Sequence, residues 1–478
     1  MKLKFFILCL CIAHFCTAQN WTTPMKISNM EGFNYEPDIT VDRNGNFHCV
    51  WVFVVEANYS KIYYSRSSDE GQTWSLPQDI SSNEEKRLAN PHIVCDSENH
   101  LHLTYDYDIG NYLESLVYYK KFNGTNWSVP MIVSSGMPES HGNKLVIDNN
   151  DRIYCFWYRS INNGTTFYRF LENGFWSDFF IPYDNNDYFA FVDYVVDPDN
   201  NLHWIGAHYY DGQTAYDIKP VYFYYDYEKD LWSDVVEFGQ NHSGIGFDID
   251  LDASYLPHLV WHEYTNDNAP PNDGTFYAYH DGNSWSSPLL IVEDPKYQQI
   301  IIDNYNNPNI FDSEKYDNGQ KIIFYYSQNN FWNGYTIDEA QYAFFNLKAI
   351  KRNYQIYVFY SKSHVAGEAQ ICYSKMEMIA GADEITSPFN EFKIFPNPFK
   401  NKLNIVIGMN SGSDLQIKIY TIQGKLIKTL SDINNSSYEH KIIWDGRDQQ
   451  GKAVKPGLYL IRLQSGRHCL SRSVVLTQ

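Results

Sequence analysis

Four stretches of this chain end in residues equipped for chemistry: Asp106-Tyr107-Asp108, Tyr158-Arg159, His208-Tyr209-Tyr210 and His262-Glu263-Tyr264. Each follows a short apolar run, and the loops between the runs add His141, Asp187, Tyr188 and His242. Tyr rings beside carboxylates and an Arg suit a sugar, because a ring stacks on its C–H face while polar groups fix its hydroxyls. Asp106, Tyr107, Tyr158, Arg159, His208, Tyr209, His262 and Glu263 are therefore the candidate ligand-binding residues. His141, Arg159 and His208 are the candidates for catalysis. A lyase acting on a uronate needs a His or Tyr to take the proton α to the carboxylate, and an Arg or His to neutralise that carboxylate. A Tyr-rich acidic chain would also carry such residues in solvated loops, so spacing alone does not show that they meet.

A repeat must hold these ends at matching positions. Trp21, Trp74, Trp127, Trp176, Trp232, Trp285 and Trp332 each precede a short apolar stretch, as in Trp74-Ser75-Leu76-Pro77-Gln78-Asp79-Ile80. The proline inside that strand belongs at a sheet edge, where its missing N–H costs no ladder bond. Between tryptophans the pattern is a hairpin with an Asp/Asn/Gly turn, such as Ile39 to His48, and then a Tyr-rich run such as Ile62-Tyr63-Tyr64-Ser65. Four short strands per unit and seven units read as a seven-bladed β-propeller, an all-β fold. The count closes only if Trp21 to Ile27 forms the outer strand of the last blade, whose other strands run from about Phe344 to Met378.

Composition sets the outer limits. The chain has 478 residues, is 17% aromatic and 44% hydrophobic, and carries a net charge of -20 at pH 7. Such an acidic excess argues against a nucleic-acid partner or an anionic membrane surface. Residues 1–18 read as a cleaved signal peptide: Lys2 and Lys4, an apolar run from Phe5 to Ile12, then Cys16-Thr17-Ala18. That run is too short to span a bilayer, and no later stretch is a transmembrane segment. The remaining cysteines (Cys49, Cys95, Cys155, Cys372 and Cys469) have no metal-ligand spacing and read as unpaired core residues. No metal or other cofactor is expected. Calcium at Asp148-Asn149-Asn150-Asp151 or Asp197-Pro198-Asp199-Asn200-Asn201 is the alternative, although neither has the full loop pattern.

Ser67-Ser68-Asp69-Glu70-Gly71-Gln72-Thr73-Trp74 resembles the Asp-box (BNR repeat) of sialidase-like secreted propellers. The resemblance gives Ser67, Asp69, Gly71, Thr73 and Trp74 a structural role in the turn between third and fourth strands, away from the ligand face. It supports fold more than function. Sialidase chemistry itself is disfavoured, since it needs three arginines around the substrate carboxylate and only Arg159 is well placed.

After Ile379 the repeat stops. Residues 19–379 form the propeller, 380–390 a linker, and 391–478 a domain of different character, with thirteen Lys/Arg against six Asp/Glu. Alternation at Ile417, Ile419 and Leu458, Leu460 predicts a small immunoglobulin-like β-sandwich. Phe395-Pro396-Asn397-Pro398-Phe399, Ile443-Trp444-Asp445-Gly446 and Gly457-Leu458-Tyr459 resemble the C-terminal sorting domain of type IX secretion substrates in Bacteroidetes. The resemblance implies handling by the type IX machinery and an extracellular or outer-membrane-surface location, with attachment to surface lipopolysaccharide or release. The expected role is glycan binding or association, with a uronate lyase or glycoside hydrolase as the alternative.

Overall fold

In the computed structural model, residues 21–81, 86–108, 114–159, 165–182, 188–209, 218–238, 243–264, 274–293, 298–316, 319–328, 331–377, 389–409, 415–421, 425–433, 439–465 and 468–477 are described. The proposed signal, linker residues 380–388, Asp187 and His242 lie outside them, as does the side chain of Tyr209. Among the described residues every regular element of two residues or more is a strand, and no helix is long and apolar enough to cross a membrane.

Up to Glu377 the described strands form successive groups of four antiparallel strands, with Val236–Glu237 an extra strand on Ile218–Asp226 and Phe33 paired parallel to Ala369. The first is Phe33–Val41, Phe47–Glu56, Tyr59–Ser67 and Gln78–Asp79; the second is Arg87–Cys95, Leu101–Asp108, Leu116–Phe122 and Met131–Ile132. The third is Ser140–Ile147, Ile153–Arg159, Thr165–Glu172 and Phe175–Trp176; the fourth is Tyr188–Val196, Leu202–Tyr209, Ile218–Asp226 and Leu231–Trp232. Ser243–Leu251, Pro257–Tyr264, Gly274–Tyr279 and Leu289–Glu293 form the fifth, and Gln299–Ile302, Pro308–Tyr316, Gly319–Gln328 and Phe331–Ala340 the sixth. In the seventh, Ala343–Arg352, Gln355–Val365 and Glu368–Glu377 are completed by Met25–Lys26 from the start of the chain. Met25 lies opposite Tyr373 and Lys26 opposite Cys372, so the expected pairing of the first strand with the last sheet is observed.

The tryptophans explain why the groups form a cycle. Each packs on an aromatic ring of the third strand in the group before it: Trp127 on Tyr64, Trp176 on Tyr119, Trp232 on Tyr168, Trp285 on Tyr222 and Trp332 on Tyr277. Trp21 meets Phe324 at 5.6 Å and Trp74 meets Tyr373 at 6.1 Å, which returns the series to its first group. One expectation needs correcting. Pro24, Pro77, Pro130 and Pro288 do not lie inside outer strands; each strand starts just after its proline or at the residue following it. A residue without an N–H starts the edge strand more readily than it continues one.

The 391–478 segment folds as two sheets over a single core. Phe389–Phe395, Leu403–Met409 and Glu439–Trp444 make one sheet, and Leu415–Thr421, Leu426–Ile433, Gly457–Ser465 and His468–Leu476 the other. Phe399, Ile405, Ile417, Trp444 and Ile461 are buried between them. His468–Leu476 also pairs with the outer strand of the sixth group, Asn333 opposite Leu470 and Gly334 opposite Cys469. Cys49, Cys155 and Cys372 are buried free thiols, and Cys95 is a partly buried one.

Candidate functional site

Hairpins joining inner to second strands define one end of the ring. At six of these turns an Asp accepts the N–H four residues on: Asp42 from Asn46, Asp96 from His100, Asp148 from Arg152, Asp197 from Asn201, Asp252 from Leu256 and Asp303 from Asn307. In four groups a buried His bridges this Asp to a third-strand Tyr. His102 Nε2 lies 3.1 Å from Asp96 and its Nδ1 2.7 Å from the Tyr119 hydroxyl, and His48, His203 and His258 repeat the arrangement. Asp–His–Tyr relays look catalytic, but four buried copies at equivalent positions are a repeated packing device. The carboxylates of Asp148 and Asp197, where calcium was the alternative, serve their own turns. Among the described residues no three His, Cys, Asp or Glu converge to hold a metal.

The Ser67–Trp74 turn is at this same end. Thr73 N donates to Asp69 at 2.8 Å, Gly71 N to Ser67 Oγ at 2.9 Å, and Trp74 Nε1 to the Gly71 carbonyl at 3.1 Å. Gly71 has a φ of 85°, and a Cβ there would approach the Tyr373 hydroxyl to 2.7 Å.

Inner strands carry a bulge whose left-handed residue is Glu36, Asn90, Gly142, Gly246 or Asn346, with φ of 53°, 47°, 61°, 66° and 49°. Just beyond it, one residue per group stands at a matching register: Asp38, His92, Lys144, Asp193, Asp248, Gln299 and Lys348. These side chains sew each group to the next. Asp38 accepts the Ile93 N–H at 2.8 Å, Asp248 that of Ile300 at 2.6 Å, and Gln299 that of Ala349 at 3.3 Å. Lys348 feels Asp193, Asp38 and Asp248 together, from both near and distant groups, so these charges meet across the axis. Burial opposes ionisation there, yet Lys144 and Lys348 hold Asp193 below the usual carboxylate range, while burial and Asp193 push Asp248 well above it.

The other end, where second strands finish, holds the residues proposed from sequence. Asp106 is buried and already satisfied, taking Asn90 Nδ2 at 2.6 Å, Asn143 Nδ2 at 2.7 Å and Gly142 N at 2.8 Å. Tyr107 is buried in the core between the first two groups. His141 and Tyr158 come together edge to face at 5.4 Å, opposite each other across two strands. Arg159 Nε donates to the Pro138 carbonyl at 3.1 Å. His208 lies 3.0 Å from Glu237, which also holds Lys219 at 2.8 Å. His262 and Glu263 are buried, with Glu263 accepting from Trp261 Nε1 at 2.8 Å. Thus His141 with Tyr158 forms one locus, while His208 with Glu237 and Glu263 with Trp261 belong to other groups.

Sequence reading missed Tyr35, Glu36 and Arg87. Arg87 Nη1 faces Asp108 at 3.6 Å with its side chain 40% exposed, and it hydrogen-bonds Tyr35. Glu36 accepts the Asn90 N–H at 2.7 Å, and burial pushes its carboxyl to about 7. The repeat Glu36-Pro37-Asp38-Ile39 and Asn90-Pro91-His92-Ile93 was the available signal. Asn and Gly tolerate the left-handed bulge conformation; for Glu it costs about 1–2 kcal/mol.

Residues 393–477 match the family described as secretion system C-terminal sorting domain. That match carries export to the cell surface or exterior by the type IX machinery. No curated protein matches the chain in sequence. Among solved structures the chain is similar to a PL25 ulvan lyase, with 12% identity, 73% of this chain and 95% of that one covered, and a TM-score of 0.55. The polysaccharide lyase Uly1 gives 10% identity, 72% and 90% coverage and a TM-score of 0.52. These likenesses establish a shared fold, that of a β-propeller.

Proposed function

We propose that this chain is an exported seven-bladed β-propeller that engages a glycan at the end of the ring where the second strands finish. The observation that carries the reading is the rim over the first three groups, where Tyr35, Arg87, Asp108, His141, Tyr158 and Arg159 gather half-buried rings beside charged hydrogen-bonding groups. A stacking face flanked by such groups is what a sugar requires. The cyclic Trp packing supports seven blades, and the Ser67–Trp74 turn fits an Asp-box. The signal peptide and an immunoglobulin-like sorting domain would then take the propeller through the periplasm to the surface, for attachment to lipopolysaccharide or release.

The second reading is a polysaccharide lyase or hydrolase. It is favoured by the Glu36 carboxyl, brought near 7 beside an arginine. Incubation with neutral and uronate-containing polysaccharides separates the two. Retention without new reducing ends or unsaturated-uronate absorbance supports binding, product formation establishes the enzyme, and inertness in all assays overturns both. Export is tested by removing residues 391–478 in a Bacteroidetes host, which should trap the propeller in the periplasm; normal surface display would defeat the sorting role.

A further inference from the structure

The inner-strand bulges supply an internal comparison that singles out one residue. In the second, third, fifth and seventh groups the left-handed position holds Asn90, Gly142, Gly246 and Asn346, the residue types that adopt it at least cost. In the first group it holds Glu36, a long ionisable side chain in a conformation L residues avoid. The same bulge forms without it elsewhere, so the fold does not require a carboxyl there. Strain retained where a less strained residue would serve is a mark of function when the residue also stands among chemically competent neighbours.

Those neighbours are present. Glu36 is anchored through one oxygen by the Asn90 N–H at 2.7 Å. Arg87 lies beside it, bonded to Tyr35 and facing Asp108 at 3.6 Å. Phe33 and Tyr35, two residues apart on one strand and both partly exposed, have ring centroids 5.5 Å apart. Aromatic faces, a fixed guanidinium and an anchored carboxyl together present stacking surface, donors and an acceptor within one small region.

We propose that Phe33, Tyr35, Glu36 and Arg87 form a saccharide subsite at the inner rim between the first and second groups, with Glu36 as its hydroxyl-recognising group and a neutral sugar as its ligand. Neutrality follows from local charge. Arg87 is already opposed by Asp108 and Glu36, which weakens its pull on a carboxylate or sulfate, and the chain as a whole carries -20. This deepens the glycan-binding reading and rests on it.

The test uses the full chain against immobilised laminarin and xylan as neutral probes, with polygalacturonate as the anionic one. Glu36→Asn installs the residue type of the neighbouring bulge and Glu36→Gln keeps the side-chain length. The expected result is retention of the parent on a neutral polymer, weakened about tenfold or more in both variants, with Glu36→Asn melting at or above the parent's temperature. Parent-like binding by either folded variant overturns the subsite while leaving glycan binding intact. Retention on polygalacturonate alone overturns the neutral ligand, and a melting temperature clearly lowered in Glu36→Asn makes Glu36 a structural residue. A parent that binds none of the three polymers overturns both the subsite and the reading beneath it.

Discussion

The two ends of the ring are built on opposite plans. At the hairpin end the Asp turn recurs in six groups and the Asp–His–Tyr relay in four, and the Asp, His and Tyr side chains of each relay pair inside their own unit. At the other end equivalent positions diverge: Asp106, Tyr158, Ala207 and His262 stand at one register, with Asp106 taking Asn90 and Tyr158 meeting His141. Repetition at equivalent positions marks groups serving the fold, since every unit meets the same packing problem. Divergence on the same scaffold marks the end free to take on function. A relay resembling a catalytic triad belongs to the first plan, and an isolated glutamate in a bulge to the second.

The comparison predicts that damage to repeated positions costs stability, whereas damage to divergent ones does not. The largest effect should come from the axis shared by all groups. Lys348→Met removes the cation whose field reaches Asp38, Asp193 and Asp248, leaves these carboxylates less compensated, and should cost about 3–4 kcal/mol. A denaturation midpoint close to the parent's would show that the axial charges do not depend on one another. Asp96→Ala removes the acceptor of the Glu98 and His100 N–H groups and of His102, and should cost about 3 kcal/mol. A loss below about 1 kcal/mol would reduce the relay to decoration.

Acid should act through the same repeats. Burial lowers the affinity of His48, His102, His203 and His258 for protons, with His258 brought to about 4. Because the unfolded chain takes up those protons first, stability should be full above the ordinary histidine range and fall as pH drops from about 6.5 toward 4. His258 alone accounts for roughly 3.5 kcal/mol at about 1.4 kcal/mol per unit. Melting temperatures that stay flat across this window would mean the relays titrate as exposed histidines do. The smallest effect belongs to the divergent end: Arg159→Ala should change stability by less than about 0.5 kcal/mol while weakening glycan retention. Equal retention by this variant would confine the ligand to the rim nearer Glu36.

Much of the fold was legible because packing imposes the same residues on every unit. The tryptophan series exposed the repeat, and its count required Trp21 to Ile27 to return to the last sheet, where Met25 and Lys26 are found. The candidate site was legible only as a set of strand ends. Asp106 looked like a ligand contact because a carboxylate after an apolar run is usually exposed, yet Asn90 and Asn143 from two other strands enclose it. Glu36 escaped notice because nothing in Tyr35-Glu36-Pro37 states its φ, and Arg87 because its partners Tyr35 and Asp108 are remote in the chain.

The sequence by itself determined the strand periodicity, the unit length, the turn chemistry and the change of character after Ile379, since each depends on residues near one another along the chain. Tertiary structure alone decided which polar groups are consumed and which remain on the rim. That depends on the bulge in six of the inner strands, which turns Asp38, Lys144, Asp193 and Lys348 toward a common axis while leaving Glu36 beside Arg87. The physical reason is that a one-residue bulge reverses which face a side chain meets, and only closing the ring brings charges from distant groups within reach of one another.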